Sequence, residues 1–286
     1  MNRRDGFIGR LLDADIRSDG RLVRDLDDTQ KILPYFMRTR QSSSILMKET
    51  VDITETLRFI DGRNQGKKGP YSVFVILIAA LVRTGALHPK LNRFVVGRRI
   101  YAKNKLQVSF VMKQQMDEEG KEVVVKLTFD PKDTLAVAAE QVNRAISSGR
   151  GKGTTKGNSL ISALLTMPSF LLTLLFALER VADRCGLLPA ALIESDPLFA
   201  SAFVANLGSL KIGAPYHHLY ERGTISLFVV LGEYKKADVA YERTYVDLAF
   251  TVDSRIAGGY AIAQALHTLK ELLENPALLE QELSFS

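Results

Sequence analysis

The chain has 286 residues, 46% of them hydrophobic and 24% charged, with a single cysteine, Cys185. This composition is sufficient for a large folded core, and one cysteine excludes an internal disulfide and gives no indication of secretion. The net charge of +6 is spread along a chain without tryptophan, so neither a concentrated basic patch nor a base-stacking platform predicts nucleic-acid binding.

The N-terminal third begins with a polar segment and continues with strand and helix patterns. Residues 1–30 are rich in Asp and Arg and indicate an N-terminal arm. They lack the apolar run of a signal peptide, so a cytoplasmic location is expected. Residues 45–60 predict a strand followed by a helix. Residues 71–87 are almost uncharged and too long for a strand, which predicts a buried helix capped by Ser72.

The middle of the chain predicts a strand hairpin and a helix. Residues 95–102 and 107–115 have strand composition, the polar residues 117–120 indicate a hairpin turn, and residues 123–129 predict the returning strand. A helix is expected to follow Thr134.

Residues 159–178 form an uncharged run of twenty residues, which is long enough for a membrane span. Pro168 interrupts the run, and serine and threonine recur through it. These features favour a buried helix pair, or a helix lining an apolar pocket, over a membrane span. Contact with a membrane surface is the less favoured alternative.

The last third alternates turns and strands, with strands predicted at 197–205, 224–231 and 241–252 and a helix from about 259 to 273. Strand hairpins separated by helices predict an α+β fold with a mixed sheet and flanking helices. We expect residues 31–286 to form one domain. The turn before the last helix contains two glycines, which are expected to let the backbone turn sharply.

Several short motifs occur in a characteristic order along the chain. They are His88-Pro89-Lys-Leu-Asn92, Asn206-Leu-Gly208-Ser209, Gly232, and Asp253-Ser254-Arg255-Ile-Ala-Gly258-Gly259. In this order they resemble the catalytic domain of the dihydrolipoyl acyltransferases of 2-oxo acid dehydrogenase complexes, which share the chloramphenicol acetyltransferase-like, CoA-dependent acyltransferase fold. The resemblance covers residues 30–280 and implies a free-standing homotrimer, without lipoyl or subunit-binding domains, whose active sites lie between subunits.

The resemblance also implies a mechanism, from which this sequence departs. In the family, the histidine of Asp-His-Arg-x-x-Asp-Gly is the general base, and a hydroxyl before Asn-Leu-Gly stabilises the oxyanion. The corresponding residues here are Ser254 for the histidine, Gly258 for the second aspartate and Ala205 for the hydroxyl. The residues that remain as a structural motif are Asp253, Arg255, Gly208 and Gly259.

Two hypotheses follow. The first is an acyltransferase with a relocated base, His217 or His218, in a segment that lies near the acceptor pocket in the family fold. Glu221 would orient the imidazole, and the substrate-binding candidates are Tyr216, Tyr220, Asn206 and Ser254. The acyl donor would be a coenzyme A ester and the acceptor a small-molecule thiol, hydroxyl or amine, with no metal. The alternative without a catalytic role is a polar turn in which His217 and His218 form hydrogen bonds with backbone carbonyls.

The second hypothesis is a catalytically degenerate acyltransferase homologue, a pseudoenzyme that keeps the trimeric shell. It would bind an acyl-CoA, an acyl chain or a protein partner without turning it over. The loss of three chemical groups from the family motifs favours this hypothesis, and the retained glycines and Asn206 are consistent with a preserved scaffold.

Overall fold

The computed structural model describes residues 17–113, 122–151, 165–236 and 242–283. The strands in these ranges are β1 (Gly20–Leu22), β2 (Ser44–Asp52), β3 (Arg93–Val96), β4 (Arg99–Lys103), β5 (Leu106–Lys113), β6 (Glu122–Phe129), β7 (Ala202–Asn206), β8 (Leu227–Lys236) and β9 (Thr244–Asp253). The helices are α1 (Asp28–Phe36), α2 (Thr54–Asn64), α3 (Val73–Leu87), α4 (Leu135–Gly151), α5 (Ser169–Arg184), α6 (Ala190–Ser195) and α7 (Gly259–Glu274).

A six-stranded mixed sheet organises the molecule. Its order is β2-β9-β8-β7-β5-β6, with β7 parallel to both β5 and β8 and the other pairs antiparallel. A separate three-stranded sheet has the order β1-β4-β3. The mixed sheet with flanking helices confirms the predicted α+β class.

The main core lies on one face of this sheet, beneath α3, α4 and α7. Helix α3 is the central element because every residue from Val73 to Thr84 is buried. Its cap is the predicted one, since the hydroxyl of Ser72 accepts a hydrogen bond from the N–H of Val75. The opposite face carries a smaller apolar cluster, which we call the His217 face and define by Phe203, Phe228, Val230 and Ala249.

Two predicted strands differ in the structure. Residues 95–102, expected as one strand, form the β3–β4 hairpin. Gly97 and Arg98 both have positive φ (57° and 68°), which is the backbone of a two-residue type I′ turn. At 197–205 the strand begins only at Ala202, because Pro197–Phe199 is a 3₁₀ turn capped by the Asp196 carboxylate.

The prediction of a buried helix at 159–178 is wrong for the described part of that run, and residues 152–164 lie outside the described ranges. Helix α5 begins directly after Pro168, and none of its side chains is buried. Two ion pairs hold its polar side, Arg222 with Glu179 and Arg17 with Asp183. In the described ranges, no helix combines the length and the apolar character that crossing a membrane requires.

Candidate functional site

The end of β9 is a buried ion pair. The carboxylate of Asp253 accepts hydrogen bonds from Nε (2.8 Å) and Nη2 (2.7 Å) of Arg255, and from its backbone N–H (3.1 Å). Asp253 is fully buried and Arg255 almost so. The pair therefore fixes the end of β9, and we call Asp253, Ser254 and Arg255 the β9 corner. The remaining guanidinium nitrogen, Nη1, donates to the carbonyl of Met37.

Ser254, one of the substrate-binding candidates, is committed to the backbone. Its hydroxyl donates to the carbonyl of Ser43 at 2.7 Å, and its N–H donates to the same oxygen at 2.9 Å. Gly258 has an extended backbone with φ of −69°, so the turn does not use the glycine conformation that we expected. A Cβ atom added at Gly258 or Gly259 would meet no other atom within 4 Å.

Glu221 is brought to this strand end and not to the imidazole of His217. Its two carboxylate oxygens accept from the backbone N–H groups of Arg40 (3.2 Å) and Gln41 (3.1 Å). The buried guanidinium of Arg40 donates in return to the carbonyls of Tyr220 (2.9 Å) and Gly223 (2.5 Å). Burial lowers the pKa of Arg40, and the nearby Asp253 carboxylate counteracts that effect. Arg40 thus joins the segment after His217 to the β9 corner.

His217 lies on the opposite sheet face. Its exposed ring stacks on Phe228, with centroids 4.1 Å apart and an angle of 11°. Its Nδ1 lies 2.6 Å from the carbonyl oxygen of His218. A carbonyl can only accept, so Nδ1 of the neutral ring carries the proton and Nε2 bears the lone pair. The imidazole is therefore held in a tautomer that can accept a proton at Nε2.

Ala205 lies on the same sheet face as His217, packed against the cluster that contains Phe203 and Phe228. Phe203 pairs with Phe228, and Ala205 pairs with Val230 two residues further along β7. Ala205 therefore lies about 7 Å along the strand from the pair beneath the imidazole. Asp253 lies in the other direction, since its N–H bonds the carbonyl of Ser226. Within one chain the levels of Ala205 and Asp253 are therefore about 13 Å apart along the strands, and Ser254 lies one residue further.

The remaining candidates surround His217 or end β7. Tyr216 is 47% exposed, His218 is exposed, and the ring of Tyr220 lies 5.5 Å from that of His217. Burial raises the pKa of Tyr220. Asn206 is the last residue of β7, and Gly208 follows where a side chain would collide with the carbonyl of Gly232.

The comparisons with known proteins give solved structures only; no family model and no curated protein matches the chain. A chloramphenicol acetyltransferase matches with a TM-score of 0.57 and 12% identity, over 89% of this chain and 99% of that chain. A truncated catalytic core of the 2-oxoacid dehydrogenase multienzyme complex from Thermoplasma acidophilum matches with a TM-score of 0.55 and 15% identity, over 89% and 98%. A probable dihydrolipoamide acetyltransferase from Listeria monocytogenes matches at 0.54 and 15%, over 88% and 94%.

The chain has the chloramphenicol acetyltransferase-like fold. The match spans nearly all of this chain and nearly all of each of these three chains, so the whole acyltransferase fold is present. The predicted fold and the resemblance on which it depended are both confirmed.

On this acyltransferase fold, a cleft of about 760 Å³ opens beside the β9 corner. We call it the arginine cleft, because its charged lining residues are Arg38, Arg40, Arg98, Arg180, Arg184, Arg255, Asp183 and Glu221. The buried Nε of Arg40 has no partner among the described residues. An excess of positive charge in a concave site attracts anionic groups.

An apolar cavity of about 50 Å³ lies on the helix side of the same corner, next to Val252 and Ile256. Thr84 and Asn92 also line it, and Oγ1 of Thr84 and Oδ1 of Asn92 are buried without a partner in the described ranges. Its volume is well below the roughly 300–1,000 Å³ of drug-sized ligand sites, so it can hold only a small group such as the end of an acyl chain. The sheet separates this cavity from His217.

Sequence reasoning missed two residues on which the site depends. The sequence analysis does not single out Arg40, although its guanidinium donates to three carbonyls of residues 220–223. Phe228 was treated as an ordinary strand residue, although it supports the imidazole of His217. An arginine shortly before a strand was the only available signal for Arg40, and nothing in the sequence distinguished Phe228 from the other core aromatics.

Proposed function

We propose that this protein transfers an acyl group from a coenzyme A ester to a small-molecule thiol, hydroxyl or amine, with His217 as the general base. The observation that carries the proposal is the hydrogen bond from Nδ1 of His217 to the carbonyl of His218. It leaves Nε2 as a proton acceptor on an exposed ring, which is the state that a general base requires.

The proposed reaction needs one proton acceptor and one oxyanion donor. Nε2 of His217 takes the proton of the acceptor as the acceptor attacks the thioester carbonyl. The tetrahedral intermediate then collapses, the carbon–sulfur bond breaks, and the coenzyme A thiolate takes the proton back from Nε2. Because Ala205 has no hydroxyl, we assign substrate contacts to Tyr216, Tyr220 and Asn206. Glu221 acts as a positioning residue, since it anchors the segment that carries His217.

We further propose that the active form is a homotrimer. One of the structurally similar proteins forms the cubic core of a pyruvate dehydrogenase multienzyme complex, so this fold supports symmetric assembly.

The test is release of free coenzyme A from a panel of acyl-CoA esters by the purified protein, with thiol, alcohol and amine acceptors. His217→Gln should lower the rate about 10²–10⁴-fold, the usual contribution of a general base. His218→Gln is the matched control, because His218 acts through its backbone carbonyl, and it should retain most of the activity. If neither substitution changes a measurable transfer, the assignment of the base is wrong.

The second candidate function is binding without turnover, as a degenerate homologue. The apolar cavity favours it, because Thr84 and Asn92 offer unpaired polar atoms within an apolar wall and this site is remote from His217. Calorimetric titration would then detect an acyl-CoA or a short carboxylic acid, and Thr84→Val would weaken its binding, while no acceptor releases coenzyme A. Turnover that depends on His217 would exclude this candidate.

A further inference from the structure

Helix α5 exposes an apolar stripe. The stripe consists of Phe170, Leu174, Leu178 and Val181, which are 69%, 54%, 59% and 57% exposed. These positions are spaced by four, four and three residues and so follow one face of the helix. Leu165, before Pro168, is 71% exposed as well. An exposed contiguous apolar surface of this kind marks a contact with a partner or a membrane.

The charges on the helix make its outer surface basic. Glu179 is paired with Arg222 at 2.7 Å and Asp183 with Arg17 at 2.8 Å, so an arginine from outside the helix neutralises each of its two acidic side chains. Arg180 and Arg184 are exposed, and they make no ion pair with any residue in the described ranges. The outer surface of α5 therefore combines four apolar side chains with two positive charges that no described residue pairs with.

The arginine cleft continues this surface. Arg180 and Arg184 line the cleft together with Arg38 and Arg98, which come from the ends of α1 and β3. Arg38 also lacks an ion pair within the described part of the chain, and the guanidinium of Arg98 lies over the ring of Tyr35, 5.2 Å from its centroid. Next to them, Tyr35 and Phe36 of α1 are 50% and 74% exposed. Apolar and basic groups thus extend over two neighbouring helices.

We propose that this surface binds a membrane rich in anionic lipids, with the α5 stripe in the acyl-chain boundary and the arginines at the headgroup phosphates. Apolar side chains beside arginines on one helix face are the features that hold a helix in the plane of a bilayer surface. A second copy that presented the same surface would bring like charges together, since Arg180 and Arg184 are exposed on each copy. The proposal goes beyond acyl transfer and does not depend on turnover.

The test is sedimentation of the full chain with vesicles of phosphatidylcholine alone or with 30 mol% phosphatidylglycerol. We expect at least tenfold tighter binding to the anionic vesicles, and release in high salt. Arg180→Ser with Arg184→Ser should weaken binding about 25-fold, from about fivefold per cationic side chain at an anionic surface. Leu174→Ser with Leu178→Ser should weaken it about tenfold per side chain.

Two control variants distinguish binding through this surface from nonspecific binding to the vesicles. Lys67→Ser with Lys68→Ser removes two exposed positive charges from the loop after α2, and Tyr260→Ser removes an 81% exposed aromatic side chain from α7. Both should bind the anionic vesicles as the unaltered protein does. The proposal is overturned if the unaltered protein does not bind the anionic vesicles, or if the control variants lose binding as strongly as the α5 variants. It is equally overturned if Leu174→Ser with Leu178→Ser only dissociates an oligomer in light scattering.

Discussion

Replacing Asp253 by alanine tests the claim that the β9 corner is a rigid, buried ion pair. The substitution removes three hydrogen-bond acceptor contacts to Arg255, at 2.7, 2.8 and 3.1 Å. Arg255 is only 4% exposed, so its guanidinium would keep a single contact, to the carbonyl of Met37. Breaking a buried pair by removing one partner costs about 3–5 kcal/mol.

The assay is equilibrium unfolding in urea, followed by circular dichroism. With an m-value of about 3 kcal/mol/M for a chain of this size, Asp253→Ala should lower the midpoint by about 1–2 M. The control is Glu140→Ala, which breaks the exposed pair of Glu140 and Arg144 (side chains 68% and 71% exposed) and should cost under about 0.5 kcal/mol. Asp253→Ala with Arg255→Met should recover part of the loss, because no isolated charge remains. An Asp253→Ala cost as small as that of the control would refute the reasoning.

Two further predictions concern the stability of the folded protein. Burial lowers the pKa of Lys103 to about 7, so between pH 7 and 10 this residue binds a proton in the unfolded chain that it lacks in the folded chain. Lys103 should therefore make the free energy of unfolding rise with pH from 7 towards 9, by at most about 1.4 kcal/mol per pH unit. Urea titrations should show this rise, and Lys103→Met should reduce it to the contribution of Lys126, whose pKa burial also lowers. Gly208→Ala should cost about 1–3 kcal/mol, because its methyl group would collide with the carbonyl of Gly232. Gly258→Ala, where the methyl group meets open space at φ −69°, should cost little, and equal costs in thermal unfolding would contradict the assigned roles.

The fold could be predicted from the sequence where local signals agree with the tertiary structure. Helix α3 combines a serine cap with an uncharged run, and burial on all sides is what such a run requires. The β3–β4 hairpin escaped prediction because a Gly-Arg turn of two residues leaves the strand composition almost unbroken. Helix α5 was placed wrongly because apolar composition does not say what covers a helix; its position depends on ion pairs with Arg17 and Arg222, far away in sequence.

The candidate site was harder to predict than the fold. The spacing of His217 and Glu221 was read as a base and its orienting carboxylate, but Glu221 bonds backbone N–H groups 180 residues away. That contact exists because Arg40 folds onto the carbonyls of residues 220–223, a long-range event with no local sequence signal. The tautomer of His217 is likewise set by a carbonyl whose direction only the folded backbone determines.

The most direct test of the central claim is the kcat/KM for acceptor-dependent release of coenzyme A, measured for the unaltered protein, His217→Gln and His218→Gln. The proposal of a relocated base predicts a loss of about 10²–10⁴-fold for His217→Gln, mainly in kcat, with the KM for the acyl-CoA little changed. It predicts a small effect of His218→Gln. Equal rates for the unaltered protein and His217→Gln would contradict the proposal.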